Sequence, residues 1–356
     1  MSVIAKEDTG AVVDHHESES LVKRLTSLQA VWILGVLVVI VAFFSVAAGS
    51  KFFSASNFSL ISQNIAVWAV IGVGMTFVII TSGIDLSVGS VLVFSSVVAA
   101  QLMLKIGGDG AGPTIAGILA ALVTGALWGV INGFLIAKAK IPPLIVTLGT
   151  LSVALGLAQV LTGGVDVRSV PGAMTDFNTY IKILGIPSLP FVALVTVIIG
   201  GIVLHRTKFG RYTYAIGSNE LSARRVGINV DRHLILVYGL SGLMAGLGAV
   251  LSLCQFGTTT IAGQSLTNLN VIAAVVIGGT SIFGGEGSIF GTVVGLFIPA
   301  VLQAGFVIIG VEAFWQAVAV GTVLVAAVFV DQSRRAAALR GAKSRNPILA
   351  ILRPNA

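Results

Sequence analysis

Ile61-Ser-Gln-Asn-Ile-Ala-Val-Trp-Ala-Val-Ile-Gly-Val-Gly-Met-Thr-Phe-Val-Ile-Ile-Thr81 runs without a formal charge and gives way at once to the small polar residues of Thr81-Ser-Gly-Ile-Asp-Leu-Ser-Val-Gly-Ser90. A hydrocarbon core of about 30 Å takes roughly 20 predominantly apolar helical residues to cross. The run therefore reads as a membrane span, ended by a polar junction. Working outward, the same criterion marks nine more spans, at 29–49, 87–104, 114–137, 144–163, 189–205, 233–254, 266–282, 288–309 and 312–330. The expected fold is all-α: a polytopic integral membrane helical bundle of about ten transmembrane helices with both termini cytoplasmic.

Composition supports lipid as the solvent. The 356 residues are 56% hydrophobic and only 10% charged, with a mean hydropathy of +1.01 and 43 glycines. Soluble domains carry about 45–50% apolar residues, so a water-soluble fold is excluded. Cys254 is the sole cysteine, which rules out an intrachain disulfide and a cysteine-based metal cluster. The formal charge of +7 points to no nucleic acid, because the basic residues lie between the apolar runs. With a cytoplasmic N-terminus, 17 of the 21 basic residues fall inside and only Lys51, Lys105, Arg168 and Lys182 fall outside. That asymmetry supports an even number of spans and fixes the expected orientation. The first 28 residues are polar, end in Lys23-Arg24, and precede a long apolar run, which reads as an anchor and not a removed signal peptide. The expected organisation is a cytoplasmic tail at 1–28, a transmembrane domain at 29–332 with a basic cytoplasmic loop at 206–232, and a basic tail at 333–356.

Small residues at i, i+4 spacing let helices approach closely. Gly125, Gly129 and Gly133 form one such ridge, Gly287, Gly291 and Gly295 another, and Gly242 with Gly246 a shorter one. All read as helix contacts.

Acidic residues avoid the spans. Asp85 and Glu286 sit in Gly/Ser-rich junctions, and no Lys or Arg is mid-span. Carriers driven by protons or sodium need ionisable or ion-coordinating groups at membrane depth, so this pattern weakens that class. The junctions Thr81–Ser90 and Gly279–Ser288 resemble each other as a weak internal repeat. Broken helices at matching positions point to a translocation path; the alternative is a pair of short turns in which the two acids cap helix N-termini. Neutral hydrogen-bonding residues inside spans suit an uncharged polar solute or serve as interhelical glue. The translocation-path candidates are Asn64, Ser82, Asp85, Asn132, Thr147, Gln159, Asn270 and Glu286; Gln303 has the same character.

The loop Thr207–Ile228 carries a short-helix signature. Ser218 is placed to cap, Glu220 favours the first turn, Arg224 and Arg225 the last, and Gly227 ends it. A two-turn helix is too short to persist alone in water, so it is expected to dock on a partner or on the bundle; an ordinary solvated helix is the alternative. The outer segment Gly164–Ser188 is polar, and Pro171 is expected to precede a surface helix over Ala173–Tyr180 that contacts a partner or lies on the membrane.

Four blocks in order carry a family resemblance: Val78–Ser90; Asn132-Gly-Phe-Leu-Ile with Ile141-Pro-Pro-Leu-Ile-Val-Thr-Leu-Gly149; Phe209–Ile228; and Val276–Ser288. Over roughly residues 30–332 the chain resembles the permeases of bacterial ribose-, xylose-, arabinose- and galactose-type ABC sugar importers. The resemblance implies a permease dimer, built from a second copy or a paralogue, in the bacterial inner membrane. It also implies a cytoplasmic ATPase subunit with two nucleotide-binding modules and a periplasmic sugar-binding protein. On this likeness Gly217, Ser218, Asn219, Glu220, Leu221, Arg224, Arg225 and Gly227 form the ATPase-coupling element, and a pentose such as ribose is the expected cargo. The sequence contains no G-x-x-x-x-G-K-[ST] phosphate loop. ATP and Mg are accordingly assigned to the partner, with no cofactor, metal or catalytic residue on this chain. The rival readings are an ABC permease for a sugar-like signalling molecule or nucleoside, a secondary carrier for an uncharged polar solute, and a membrane-embedded enzyme. Against the enzyme, the four histidines lie at His15, His16, His205 and His233, in the tail and at span ends.

Overall fold

The computed structural model describes residues 29–312 apart from Ser169, Gly263 and Ser265, together with 315, 317, 318, 321, 322, 325, 326 and 329. The expected tails, 1–28 and 333–356, lie outside the described residues.

In chain order come α1 (Gln29–Ala48), α2 (Ala55–Ile80), α3 (Val88–Ile106), α4 (Ala111–Ala137), α5 (Pro143–Thr162) and the short α6 (Gly172–Thr179). A two-stranded antiparallel hairpin follows, β1 (Lys182–Ile183) and β2 (Ile186–Pro187). Then come α7 (Ser188–Arg206), α8 (Lys208–Ser218), α9 (Glu220–Arg225), α10 (Val230–Phe256), α11 (Thr267–Ile277) and α12 (Ile289–Ile308). Eight of these, α1–α5, α7, α10 and α12, are long and apolar enough to cross a membrane. The chain is a polytopic all-α membrane protein. The expected surface helix after Pro171 is present as α6.

One expected span is corrected. The run at 266–282 folds as α11, only 11 residues long, which at 1.5 Å per residue reaches about 16 Å, half a hydrocarbon core. Polar residues precede it, and Gly278 follows it in close contact with Gly291 of α12, so the chain turns before completing a crossing. In the tenth expected span, 312–330, the described positions from 315 to 329 are helical and the others lie outside the described residues.

The helix ends follow local chemistry. Ser54 accepts from Asn57 N at the start of α2, Asn229 from Arg232 N at the start of α10, and Ser288 from Gly291 N at the start of α12. Gly163 and Gly257 end α5 and α10 in the left-handed region, at φ 65° and 66°, where a side chain would be strained.

From Ile65 to Ile80 every residue of α2 is buried. A helix covered on all sides is the axis of its bundle, and α7, α10, α11 and α12 surround it. The tightest pair is α4 with α10. Gly125 faces Gly242 and Gly246, Gly129 faces Tyr238 and Gly239, and Gly133 faces Ile235, so a methyl on any of the three would meet backbone. Two of the three glycine ridges read from the sequence, Gly125–Gly129–Gly133 and Gly242–Gly246, are the two sides of one seam.

Two faces result. One carries α8, α9 and the turn between α4 and α5; the other carries α6, the hairpin and the turn between α3 and α4, to which α6 is tied by Asp109 and the Gly172 N–H.

Candidate functional site

Between α3 and α5 lies a cavity of about 450 Å³, lined in part by Gly164 and Asp166 of the segment that follows α5. Gly89, Ser90 and Val93 of α3 line it, opposite Leu151, Leu155 and Gln159 on one stripe of α5. Asp166 of the segment between α5 and α6 and Gln264 and Asn268, on either side of the start of α11, complete its polar lining. Its volume suits a small ligand. The polar groups are hydroxyl, amide and carboxylate, and no Lys or Arg is among the described residues that line it.

The stretch from Gly257 to Leu266 brings the chain from the hairpin face down to the start of α11. Thr259 N donates to Val167 O at 3.0 Å, and Asp166 Oδ1 accepts from Ile261 N at 2.9 Å and from Thr259 Oγ1 at 3.0 Å. Gln264 then accepts the Thr267 hydroxyl at 2.6 Å. A non-helical backbone inside a membrane needs such partners, and the segment between α5 and α6 supplies them.

The junction 81–87 leads into the α3 residues that line the cavity. Asn268 Oδ1 accepts from Gly89 N and its Nδ2 donates to Leu86 O, each at 2.5 Å. Behind that clamp, Asp85 is 2% exposed. Its Oδ1 accepts from Ser87 N at 3.0 Å and Ser87 Oγ at 2.6 Å, and its Oδ2 from Ser241 Oγ at 3.0 Å. Asn132 Nδ2 donates to Ser87 Oγ at 2.9 Å. Ser241 lies about 16 Å along α10 from its start, so these bonds form at membrane depth. Three donors satisfy the carboxylate where no water would. Asn132 Oδ1 and Tyr238 OH are buried without a partner among the described residues.

The two junctions read as a repeat meet each other. Gly285 N donates to Ile80 O at 2.9 Å, and Ser82 Oγ donates to Phe283 O at 2.8 Å and to Gly217 O at 3.3 Å. Ser82 itself holds a left-handed φ of 62°. Glu286 is exposed on this face, and Ser288, not Glu286, caps the following helix.

Of the eight path residues expected from sequence, Gln159 lines the cavity. Asp85 and Asn132 both bond Ser87, at the end of the junction that leads into α3, and Thr147 supports the same junction through Ile84 O at 3.3 Å. Ser82 belongs to the knot between the two junctions. Asn64 accepts from Gln255 Nε2 at 2.9 Å, joining α2 to α10, and Asn270 is buried with its Oδ1 unpaired among the described residues. Sequence reading missed Ser90, Asp166, Gln264 and Asn268. The signal available for Asn268 was the Asn268-Leu-Asn270 pair inside an apolar run, of which only the second was singled out.

The loop between α7 and α10 holds two helices where one was expected. Thr207 caps α8 and Asn219, not Ser218, caps α9, accepting from Ser222 N at 2.8 Å. Ser218 is the last residue of α8, and the extended backbone at Asn219 (φ −162°) separates the two helices. Gly227 (φ 87°) ends the loop helix as expected. Gly217 packs against Ile80 and Gly285. Arg224 bonds Glu220 at 2.8 Å and Asp231 at 2.6 Å, which together raise its guanidinium pKa, Asp231 the more. Leu221 and Val226 are 69% and 76% exposed. Arg225 is exposed and makes no ion pair among the described residues.

A family model described as "Branched-chain amino acid transport system / permease component" matches residues 57–328. The fructose import permease of Rhizobium meliloti is 36% identical over 90% of this chain and 91% of the relative. The ribose import permease of Bacillus subtilis is 39% identical over 85% of this chain and 92% of the relative. The D-allose transport system permease of Escherichia coli K12 is 35% identical over 83% of this chain and 90% of the relative. No solved structure matches.

Proposed function

This chain belongs to the family of branched-chain amino acid transport system permease components, and from that premise we propose that it is the permease subunit of an ATP-binding cassette importer that moves a monosaccharide, ribose before others, across the bacterial inner membrane. The observation that carries the cargo class is the lining of the cavity. A zwitterionic amino acid asks for a cationic donor opposite its carboxylate, whereas Ser90, Gln159, Asp166, Gln264 and Asn268 match the alternating donors and acceptors of sugar hydroxyls. The relatives described as fructose, ribose and allose permeases support the same reading.

The hairpin face is then periplasmic and receives solute from a sugar-binding protein, while the α8–α9 face is cytoplasmic and meets a two-module ATPase, with a second permease subunit completing the pore. Exposed Leu221, Val226 and Arg225 suit α9 to a cleft in that ATPase. ATP-driven closure of the partner, felt at α9, switches the permease between outward- and inward-open states. Two states with differential partner contacts are the minimum such coupling requires.

The test is uptake of labelled ribose, fructose and allose by proteoliposomes holding the permease with its ATPase and binding protein. Uptake should require ATP and persist when an uncoupler collapses ion gradients. The Leu221→Asp, Arg225→Glu variant should lose the ATPase from the complex. Uptake that stops with the uncoupler while ATP is maintained would sink the proposal in favour of a secondary carrier.

A further inference from the structure

The cytoplasmic face contains one acid that touches three different basic side chains. Asp231, in the first turn of α10, bonds Lys140 at 2.9 Å, Lys138 at 3.4 Å and Arg224 at 2.6 Å. Its side chain is 18% exposed, while the two lysines are more than half exposed. Three cations converging on one carboxylate exceed what a helix N-terminus needs. Asn229 already caps α10 through Arg232 N, so the favourable charge of Asp231 at that end does not explain its three partners.

The partners lie on separate elements. Arg224 belongs to α9, the helix read above as the ATPase-facing element. Lys138 is the residue that ends α4, and Lys140 lies in the turn that leads into α5. That turn is stiff. Lys140 holds a left-handed φ of 57°, a conformation that a lysine seldom adopts. Pro142 and Pro143 follow, with φ fixed by their rings, and the Ile141 N–H is bonded back to Leu135 O at 3.3 Å. A displacement of Lys138 and Lys140 therefore has little slack before α5 moves.

At its far end, α5 presents Leu151, Leu155 and Gln159 to the cavity. Only Val146, Thr147, Ala154 and Ala158 of α5 are buried. A helix held on one narrow stripe can tilt more readily than the enclosed α2.

We propose that Asp231 is a positioning residue for transport, the ionic joint through which motion of α9 reaches α5 and so the wall of the sugar cavity. The proposal rests on the reading of α9 as the ATPase-facing element. The joint acts after docking: α9 engages the partner through its exposed side chains, and Asp231 links Arg224 behind that surface to the α4–α5 turn.

The test measures three quantities on the assembled transporter in proteoliposomes: retention of the ATPase subunit on purification, ATP hydrolysis, and labelled ribose moved per ATP. Asp231→Asn, and separately Lys138→Gln with Lys140→Gln at the exposed positions, should retain the ATPase and its hydrolysis. Ribose moved per ATP should fall by about tenfold, within the range typical of coupled sites. Exchanging the charges at all four positions, Asp231→Lys with Lys138→Glu, Lys140→Glu and Arg224→Glu, should recover part of that loss, which a purely structural role would not predict. A wild-type ratio of ribose to ATP in the lysine variant overturns the proposal, as does loss of the ATPase from Asp231→Asn, because the acid would then be holding the docking surface. The Leu221→Asp, Arg225→Glu variant separates the two claims. If it keeps the ATPase bound and coupled, the reading of α9 fails; if it sheds the ATPase while the lysine variant couples normally, only the joint fails.

Discussion

Asn268 holds Gly89 from across the bundle: its side-chain oxygen accepts the Gly89 N–H at 2.5 Å while its amide donates to Leu86 O. A residue beside the start of the half-helix α11 thereby fixes the first turn of α3, and both border the cavity. The clamp uses side chain on backbone and depends on glycine at 89, where a Cβ would collide with Asn268 Oδ1, and the holder must offer a donor and an acceptor together.

Asn268→Leu keeps the volume and removes both bonds. It leaves a buried N–H and C=O unpaired, at a cost of about 1–3 kcal/mol for each group. Detergent-solubilised protein should melt at lower temperature, and vesicles containing the complex should leak preloaded ribose without ATP. Asn268→Gln, which restores the chemistry at the wrong length, should recover stability only in part. Unchanged retention of ribose by Asn268→Leu would remove the clamp from any gating role.

Asp85 receives three hydrogen bonds and has no cationic partner among the described residues. Asp85→Asn keeps one accepting oxygen and should destabilise less than Asp85→Leu, which strands Ser87 N and the Ser87 and Ser241 hydroxyls. The difference should be about 1–3 kcal/mol, the cost of stranding a buried donor, read as the order of melting temperatures. A reversed order would mean that the carboxylate is a liability in the fold.

Gly129 packs on Tyr238 and Gly239 with no room for a side chain. Gly129→Val should force α4 and α10 apart, with overpacking costs of about 1–3 kcal/mol or more, and greatly reduce the yield of monodisperse protein. Gly149→Ala is the control, since nothing lies within 4 Å of that position, and it should purify like the parent.

At the cavity, Asp166→Asn and Gln159→Ala should raise the ribose concentration for half-maximal uptake by about fivefold, the value of one net hydrogen bond of roughly 1 kcal/mol. ATP hydrolysis without sugar should not change. An effect on hydrolysis alone would place these residues outside the sugar path.

The spans and the glycine seam were legible because their signals are local and repeated: apolar length for α2, and i, i+4 glycines for α4 and α10. Asn268 was not, because one amide in an apolar run looks the same whether it meets lipid, a neighbouring helix or a cavity. Nor was the shortness of α11. Hydropathy alone cannot tell a run that crosses from one that starts halfway, and the decisive contacts come from Asp166 and Val167, far away in sequence. Gln159 was found for its polarity and Asp166 was missed because it lies in a loop, although the fold places both on one cavity. The cap at Asn219 in place of Ser218 turned on one residue's backbone, which composition does not reveal.

Two helices begin beside the cavity, α3 at Val88 and α11 at Thr267. The partial positive charge at the start of α3 is met by the Asp85 carboxylate, which accepts from Ser87 N, and by Asn268 in the first turn of α11, which accepts from Gly89 N. The half-length of α11 sets Asn268 level with the start of α3, so neither helix can slide along its axis without breaking a bond that the other one holds.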